Sequence, residues 1–188
     1  MLESVLASQA LRTTEPENLL NRLVFDSVDA TPPGGNLRET MEELPPFYTP
    51  VDDADETLVF ESRFESGNLR RAVQVYAYEY DLVINPDYNT KANTQWYFLS
   101  ISNTRAGRKY KFNIINMQKP HSLYNEGMKP LVYSQKAAEA RKQGWIRGGT
   151  DIVYFQNRIR RRDKGQNHYT LSFTIECEFE NDVIYLAH

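Results

Sequence analysis

From Thr57 onward the chain reads with a period of two. Leu58, Phe60, Ser62 and Phe64 share one face of an extended segment, with Glu61, Arg63 and Glu65 on the other. That is the signature of a half-buried strand. Ser66-Gly67-Asn68 predicts a turn, and Val73 to Leu82, rich in Val and Tyr, predicts further strand. Gln95 to Ser102 is another strand. A turn over 102–107 is expected to join it, as a hairpin, to Tyr110–Met117. The clearest pattern comes late. Tyr169, Leu171, Phe173, Ile175, Cys177 and Phe179 alternate with Thr170, Ser172, Thr174, Glu176, Glu178 and Glu180, leaving no room for a helical period. Asn181-Asp182 turns the chain into Val183–Leu186. One helix interrupts the strands: Ser134 caps Gln135–Gln143 and Gly144 closes it. The expected fold is all-β, an antiparallel β-sandwich with one short helix.

Residues 1–56 follow different rules. Thr14 and Glu17 form a capping box around Pro16, and a short helix through Leu19, Leu20, Leu23 and Val24 is expected. Thr31-Pro32-Pro33-Gly34-Gly35 and Leu44-Pro45-Pro46 break it, and Val51 to Glu56 is mostly acidic. The division expected is therefore a partly disordered acidic leader, 1–56, and a folded sandwich, 57–188.

Charge sharpens that division. The net charge of −3 combines a leader with 12 acidic and 3 basic side chains and a remainder with 13 acidic and 19 basic ones. Such a split speaks about partners, not fold. A length of 188 residues suffices for a core without staples. Cys177 is the single cysteine, which excludes an internal disulfide and CxxC chemistry. Neither a secretion signal nor a run of roughly 20 apolar residues is found. A cytoplasmic protein without membrane contact is expected.

Catalytic motifs are missing. A catalytic zinc site of the His-x-x-Glu type needs that spacing plus a distant His, leaving the metal one open position. His121 is followed three residues on by Tyr124, His168 by Leu171, and His188 by nothing. No nucleophile elbow, phosphate loop or dinucleotide fingerprint occurs. Cys177 lies in the apolar register and reads as core. His121, after Lys119-Pro120, reads as surface. No residue is assigned a catalytic or metal-binding role.

Arg158, Arg160, Arg161, Arg162 and Lys164 gather just before Gly165-Gln166-Asn167. Such cations on a loop can grip an acidic tail through charge-assisted hydrogen bonds. They can equally keep a solvated hairpin tip from aggregating. Nucleic acid is a poorer partner, because no aromatics interleave with the cluster. Trp96, Tyr97 and Phe98 are consecutive, so they alternate faces and cannot line one sugar-binding groove.

The runs FESGNLRRAVQV (64–75), EYDL (79–82), QWYFLSISNTRAG (95–107), YKFNIIN (110–116), SLYNEGMKPLVYS (122–134), GWIRGGTDIVYFQN (144–157), YTLSFT (169–174) and DVIYLAH (182–188) resemble, in order, the N-terminal domain of the cytosolic carboxypeptidases. These are the ATP/GTP-binding-protein-like enzymes of the M14 type. The resemblance covers 58–188; only LPPFYTP (44–50) extends it into the leader. It implies a β-sandwich preceding a zinc carboxypeptidase domain, which is expected to be absent from this chain. The parent would remove glutamates from polyglutamylated proteins such as tubulin. Zinc and catalysis would belong to that following domain, with no cofactor in this one. The partners implied are the chain's own C-terminal catalytic domain and acidic tails, with microtubule or cilium association. The rival expectation is a free-standing module that binds an acidic protein or microtubules.

Overall fold

The computed structural model describes residues 18–28, 46–90, 93–161 and 165–188. The expected capping box at Thr14 and the Thr31–Gly35 breaker lie outside them. Among the described residues, eleven strands form two sheets. The six-stranded sheet runs β1 (Arg22–Asp26), β3 (Leu69–Tyr76), β4 (Glu79–Ile84), β6 (Lys109–Met117), β10 (Asn167–Glu176), β9 (Thr150–Arg160). The five-stranded sheet runs β2 (Val59–Glu61), β5 (Phe98–Ser102), β11 (Ile184–Ala187), β7 (Leu131–Ser134), β8 (Ile146–Arg147). All pairings are antiparallel except β4 with β6. The all-β sandwich expected from the alternation is the fold observed.

Side chains from both sheets fill the space between them. Phe60 lies 5.1 Å from Tyr80, and Phe112 lies 5.6 Å from Phe173, ring centre to ring centre. Leu82, Leu99, Ile101, Ile114, Leu171 and Leu186 complete this apolar layer. Buried tyrosines are tolerated because each hydroxyl finds a partner. Tyr80 Oη accepts from Leu58 N–H (2.9 Å), and Tyr154 Oη donates to the Lys119 carbonyl (2.5 Å).

Several local expectations are corrected. The 95–102 and 110–117 strands do not pair with each other. β5 pairs with β2 and β11, whereas β6 lies in the other sheet, between β4 and β10. The turn at 102–107 is therefore a corner between layers, fastened by Thr104 to residues 179–182. Residues 73–82 are not one strand but two, hinged at Ala77-Tyr78, where the Gln74 amide donates to the Ala77 carbonyl. The helix, α1 (Gln135–Arg141), begins on Ser134 as expected, but Lys142 in the left-handed conformation (φ 58°) ends it instead of Gly144. Gly67 fulfils its turn reading: a Cβ there would sit 2.2 Å from the Ser62 carbonyl oxygen.

The expected helix near Leu23 is a strand. β1 forms the edge of the six-stranded sheet, with Val24, Phe25 and Asp26 fully buried. Asp26 is held by the guanidinium groups of Arg70 and Arg71. The acidic run before β2 is also tied down. Asp55 accepts from Tyr48 Oη (2.7 Å) and from the Val51 and Thr57 amides, Glu56 pairs with Arg108 (3.0 Å), and Arg105 donates to the Asp53 carbonyl. Burial pushes the Asp55 carboxyl up, but these hydrogen bonds outweigh it and hold it well below the usual carboxylate range.

Candidate functional site

The arginine cluster sits at the far end of β9, the edge strand of the six-stranded sheet. Arg158 and Arg160 belong to the strand itself, not to a loop as expected; Arg162 and Lys164 lie outside the described residues. The pairing of β9 with β10 slips between Gln156 and Arg160, where the three residues 157–159 of β9 oppose the single residue His168 of β10. Asn157 pins this irregularity: its amide donates to the Ile115 carbonyl (2.7 Å) and Thr170 Oγ1 (2.9 Å), and its oxygen accepts from Ile159 N–H. Arg161 N–H then closes the hairpin onto the Gln166 carbonyl (2.7 Å). Arg158 and Arg160 are exposed and make no ion pair among the described residues. Arg161 is half-buried and helps line a cavity of about 350 Å³ with Asp87, Gln118 and Lys119.

Most other cations of the sandwich have carboxylate partners. Arg63 binds Glu61, Arg105 binds Glu180, Lys111 meets Glu79 and Arg141 makes a two-pronged pair with Glu178. Arg158 and Arg160 share the absence of a carboxylate partner among the described residues with Lys119, Lys129, Lys142 and Arg147, but they are the two that lie together on one strand end.

Cys177 and His188 are packed into the fold. Cys177 is buried, and burial pushes its thiol up to about 12. His188 closes a chain in which Tyr97 Oη and Tyr124 Oη share a hydrogen bond (2.8 Å) and Tyr124 Oη meets His188 Nδ1 (3.2 Å). Burial, then Arg147 and Lys119, depress the His188 pKa. His121 is exposed. Among the described residues no three His, Cys, Asp or Glu side chains gather to hold a metal. They do not fit a zinc site, and no chemical step is assigned to one.

A second surface was not foreseen. On the outer face of the five-stranded sheet, Phe64, Phe98, Tyr185, Tyr133 and Trp145 form a continuous aromatic strip. Successive ring centres along it are 5.0, 6.0, 6.1 and 5.5 Å apart. The pairing places Tyr185 opposite Tyr133, and Leu186 opposite Val132, so the odd residues point away from the core. The expected alternation of Trp96, Tyr97 and Phe98 is observed: Tyr97 is fully buried, Trp96 is 43% exposed and Phe98 joins the strip.

The described residues thus form a β-sandwich with exposed arginines at the end of β9 and an aromatic cluster on the outer face of the five-stranded sheet. The chain belongs to the cytosolic carboxypeptidase N-terminal domain family, which matches residues 60–188. It is 47% identical over 146 residues to cytosolic carboxypeptidase 3 of Bos taurus, covering 76% of this chain and 14% of that protein. With cytosolic carboxypeptidase 2 of Homo sapiens it shares 47% identity over 155 residues, 82% of this chain and 17% of that one. Cytosolic carboxypeptidase 4 of Mus musculus matches the whole chain at 35% identity, over 16% of its own length. The chain therefore spans about a sixth of the length of the curated relatives it matches. Among solved structures, a metallo-carboxypeptidase from Pseudomonas aeruginosa aligns with 68% of this chain and 28% of its own at 18% identity and a TM-score of 0.45.

Proposed function

We propose that this chain is the non-catalytic N-terminal accessory domain of a cytoplasmic zinc carboxypeptidase. In this reading the enzyme removes glutamates from polyglutamylated proteins such as tubulin, and the domain supports the catalytic region and orients acidic tails. The family match across 60–188 carries this reading. The relatives' names supply the reaction class, and their length leaves room for a catalytic region outside this segment. Zinc and the residues that bind it belong to that region. The packing of Cys177 and His188 suits a domain whose work is binding.

Tail orientation falls to Arg158 and Arg160, fixed in direction by the pinned end of β9, with Arg161 and Lys119 beside the neighbouring cavity. Arginine's planar fork takes a glutamate carboxylate with two parallel hydrogen bonds. Arg162 and Lys164 extend the same basic run in sequence.

The test is a titration of the chain with a polyglutamylated tubulin-tail peptide at about 0.01 M and 0.15 M salt, where screening lengths are about 30 and 8 Å. Saturable binding that weakens with salt is expected, and Arg158→Glu with Arg160→Glu should weaken it about tenfold or more, about 1.4 kcal/mol. Binding unchanged by the double reversal, or absent at both salts, removes the orienting role and leaves a scaffold.

A further inference from the structure

An open sheet has two edges, and the two sheets end in four strands of very unequal length. β2 has three residues, β8 two and β1 five, whereas β9 runs for eleven. Three residues of β1 are buried, but of β9 only Tyr154 is, and 158–160 are all exposed. On one side β9 is bonded to β10. On its other side no backbone group of 150–160 meets a partner among the described residues, apart from Ile159 N–H, which Asn157 Oδ1 takes. A long edge of this kind offers a row of free donors and acceptors, and folds ordinarily blunt such rows with bulges, charges or proline. β9 is blunted only at its ends. Asp151 has a positive φ of 51° at the start, and the irregularity at 157–159 lies near the close. Between them Val153, Tyr154, Phe155 and Gln156 face Ser172, Leu171, Thr170 and Tyr169 in unbroken register. That leaves a regular edge long enough for a strand to join.

Charge selects what can join it. Arg158 and Arg160 stand on the same strand just beyond the regular run, exposed and without a carboxylate partner among the described residues. Ile159 between them is 44% exposed. Asn157 fixes the backbone beside them through the Ile115 carbonyl and Thr170 Oγ1, so the two guanidinium groups spring from a rigid base. Asp151, exposed at the opposite end, is the acidic group of this edge and disfavours a carboxylate next to it. The edge therefore has a direction, and an acidic segment lies with its carboxylates toward the arginine end. A strand added there places its side chains about 4.5–5.5 Å from those of β9, within reach of a guanidinium fork. In such an addition the backbone bonds supply affinity and the side chains supply choice.

We propose that the free edge of β9 takes an extended acidic segment as an added strand, paired along 153–156 and anchored through its carboxylates by Arg158 and Arg160. The inference rests on the reading of acidic tails as the ligand of this end of β9, and adds how the backbone of the tail is held. An added strand is kept extended and in one direction, whereas contact through charge alone leaves the tail free to turn.

The experiment titrates the 188-residue chain with an oligoglutamate peptide, and with the same peptide N-methylated at every amide. Methylation keeps each carboxylate and removes each backbone donor. Affinity and backbone amide exchange are both followed. The plain peptide binds and slows exchange at alternate amides of 153–156. N-methylation lowers affinity about tenfold or more, because several backbone bonds are lost at once. Arg158→Glu with Arg160→Glu weakens the plain peptide and abolishes the slowed exchange. Equal affinity of the two peptides, still weakened by salt and by the arginine reversal, overturns strand addition while the tail-orienting reading stands. Failure of both peptides to bind removes that reading and the proposal together. Exchange slowed on β1 or β2 instead of β9 overturns the edge assignment. A loss of affinity on methylation without slowed exchange in 153–156 is an effect on the peptide's own shape, and also overturns the proposal.

Discussion

The outer faces of the two sheets handle their side chains in opposite ways. On the six-stranded sheet, the Asn113 amide reaches Glu79 (2.8 Å) and Asp81 (2.9 Å), while its oxygen accepts from Ser172 Oγ (2.7 Å). Lys111 stands 3.5 Å from Glu79. The result is a polar ladder across β4, β6 and β10 whose groups satisfy one another, flanked by a cavity of about 340 Å³ between Leu19, Val73, Val83 and Ile115. On the five-stranded sheet the corresponding positions are rings packed against one another. The first face is held by hydrogen bonds within the chain; the second is held by ring contacts and leaves Trp145 and Ile146 45% and 44% exposed. Two sheets of one fold thus finish their outer surfaces by different chemistry, hydrogen bonds on one and ring packing on the other.

The interior of the sandwich sets the scale for both faces, and the largest effect is expected there, at high pH. Burial pushes Tyr110 and Tyr124 up to about 12, and Cys177 likewise, and raises Tyr80 and Tyr97 above their ordinary value of 10.0. The four tyrosines are protonated below pH 9 in either state, while the thiol, with an ordinary value of 9.0, begins to ionise about a unit lower in the unfolded chain. As pH rises through 9–12 the unfolded chain gives up these protons while the fold retains them. Stability must therefore fall steadily across that window. Urea melts at pH 8, 10 and 11 check this, and a flat profile would mean that the tyrosines are not enclosed.

A smaller, sharper effect contrasts the two outer faces. Asn113→Leu removes the amide donor that Glu79 and Asp81 share and the side-chain oxygen that accepts from Ser172 Oγ, at a cost of about 2 kcal/mol to the isolated chain. Trp145→Ser removes a ring already half in water and should cost less than about 1 kcal/mol. Chemical denaturation of both variants tests the pair. If the order reverses, the aromatic strip belongs to the fold's own stability and the distinction between the faces collapses.

Alternation made the sandwich legible. Phe60, Phe112, Phe173 and Leu171 could be placed inside from their period alone, and Ser134 was recognisable as a helix cap. Pairing partners were not, because period two does not say which strand lies beside which. Hence β5 and β6, adjacent in sequence, entered different sheets. β1 was hidden because Leu19, Leu20, Leu23 and Val24 fit a helical face, whereas the tertiary pairing of Arg22–Asp26 with β3, locked by Asp26 to Arg70 and Arg71, overrides that preference. The basic cluster was visible in sequence; its position on an edge strand and its anchorage by Asn157 were not, since both depend on an irregular pairing with β10. The aromatic face left a trace that alternation conceals. Leu131-Val132-Tyr133 and Ile184-Tyr185-Leu186 are apolar in both registers, as in a sheet with apolar side chains on both faces.

The most direct measurement is hydroxyl-radical footprinting of the 188-residue chain with and without a polyglutamylated tubulin-tail peptide. Trp145, 45% exposed on the aromatic face of the other sheet, serves as the internal reference. If the end of β9 seats the acidic tail, labelling of Phe155 and Ile159 drops several-fold on binding while Trp145 is unchanged. Equal labelling of β9 with and without the peptide would contradict the account.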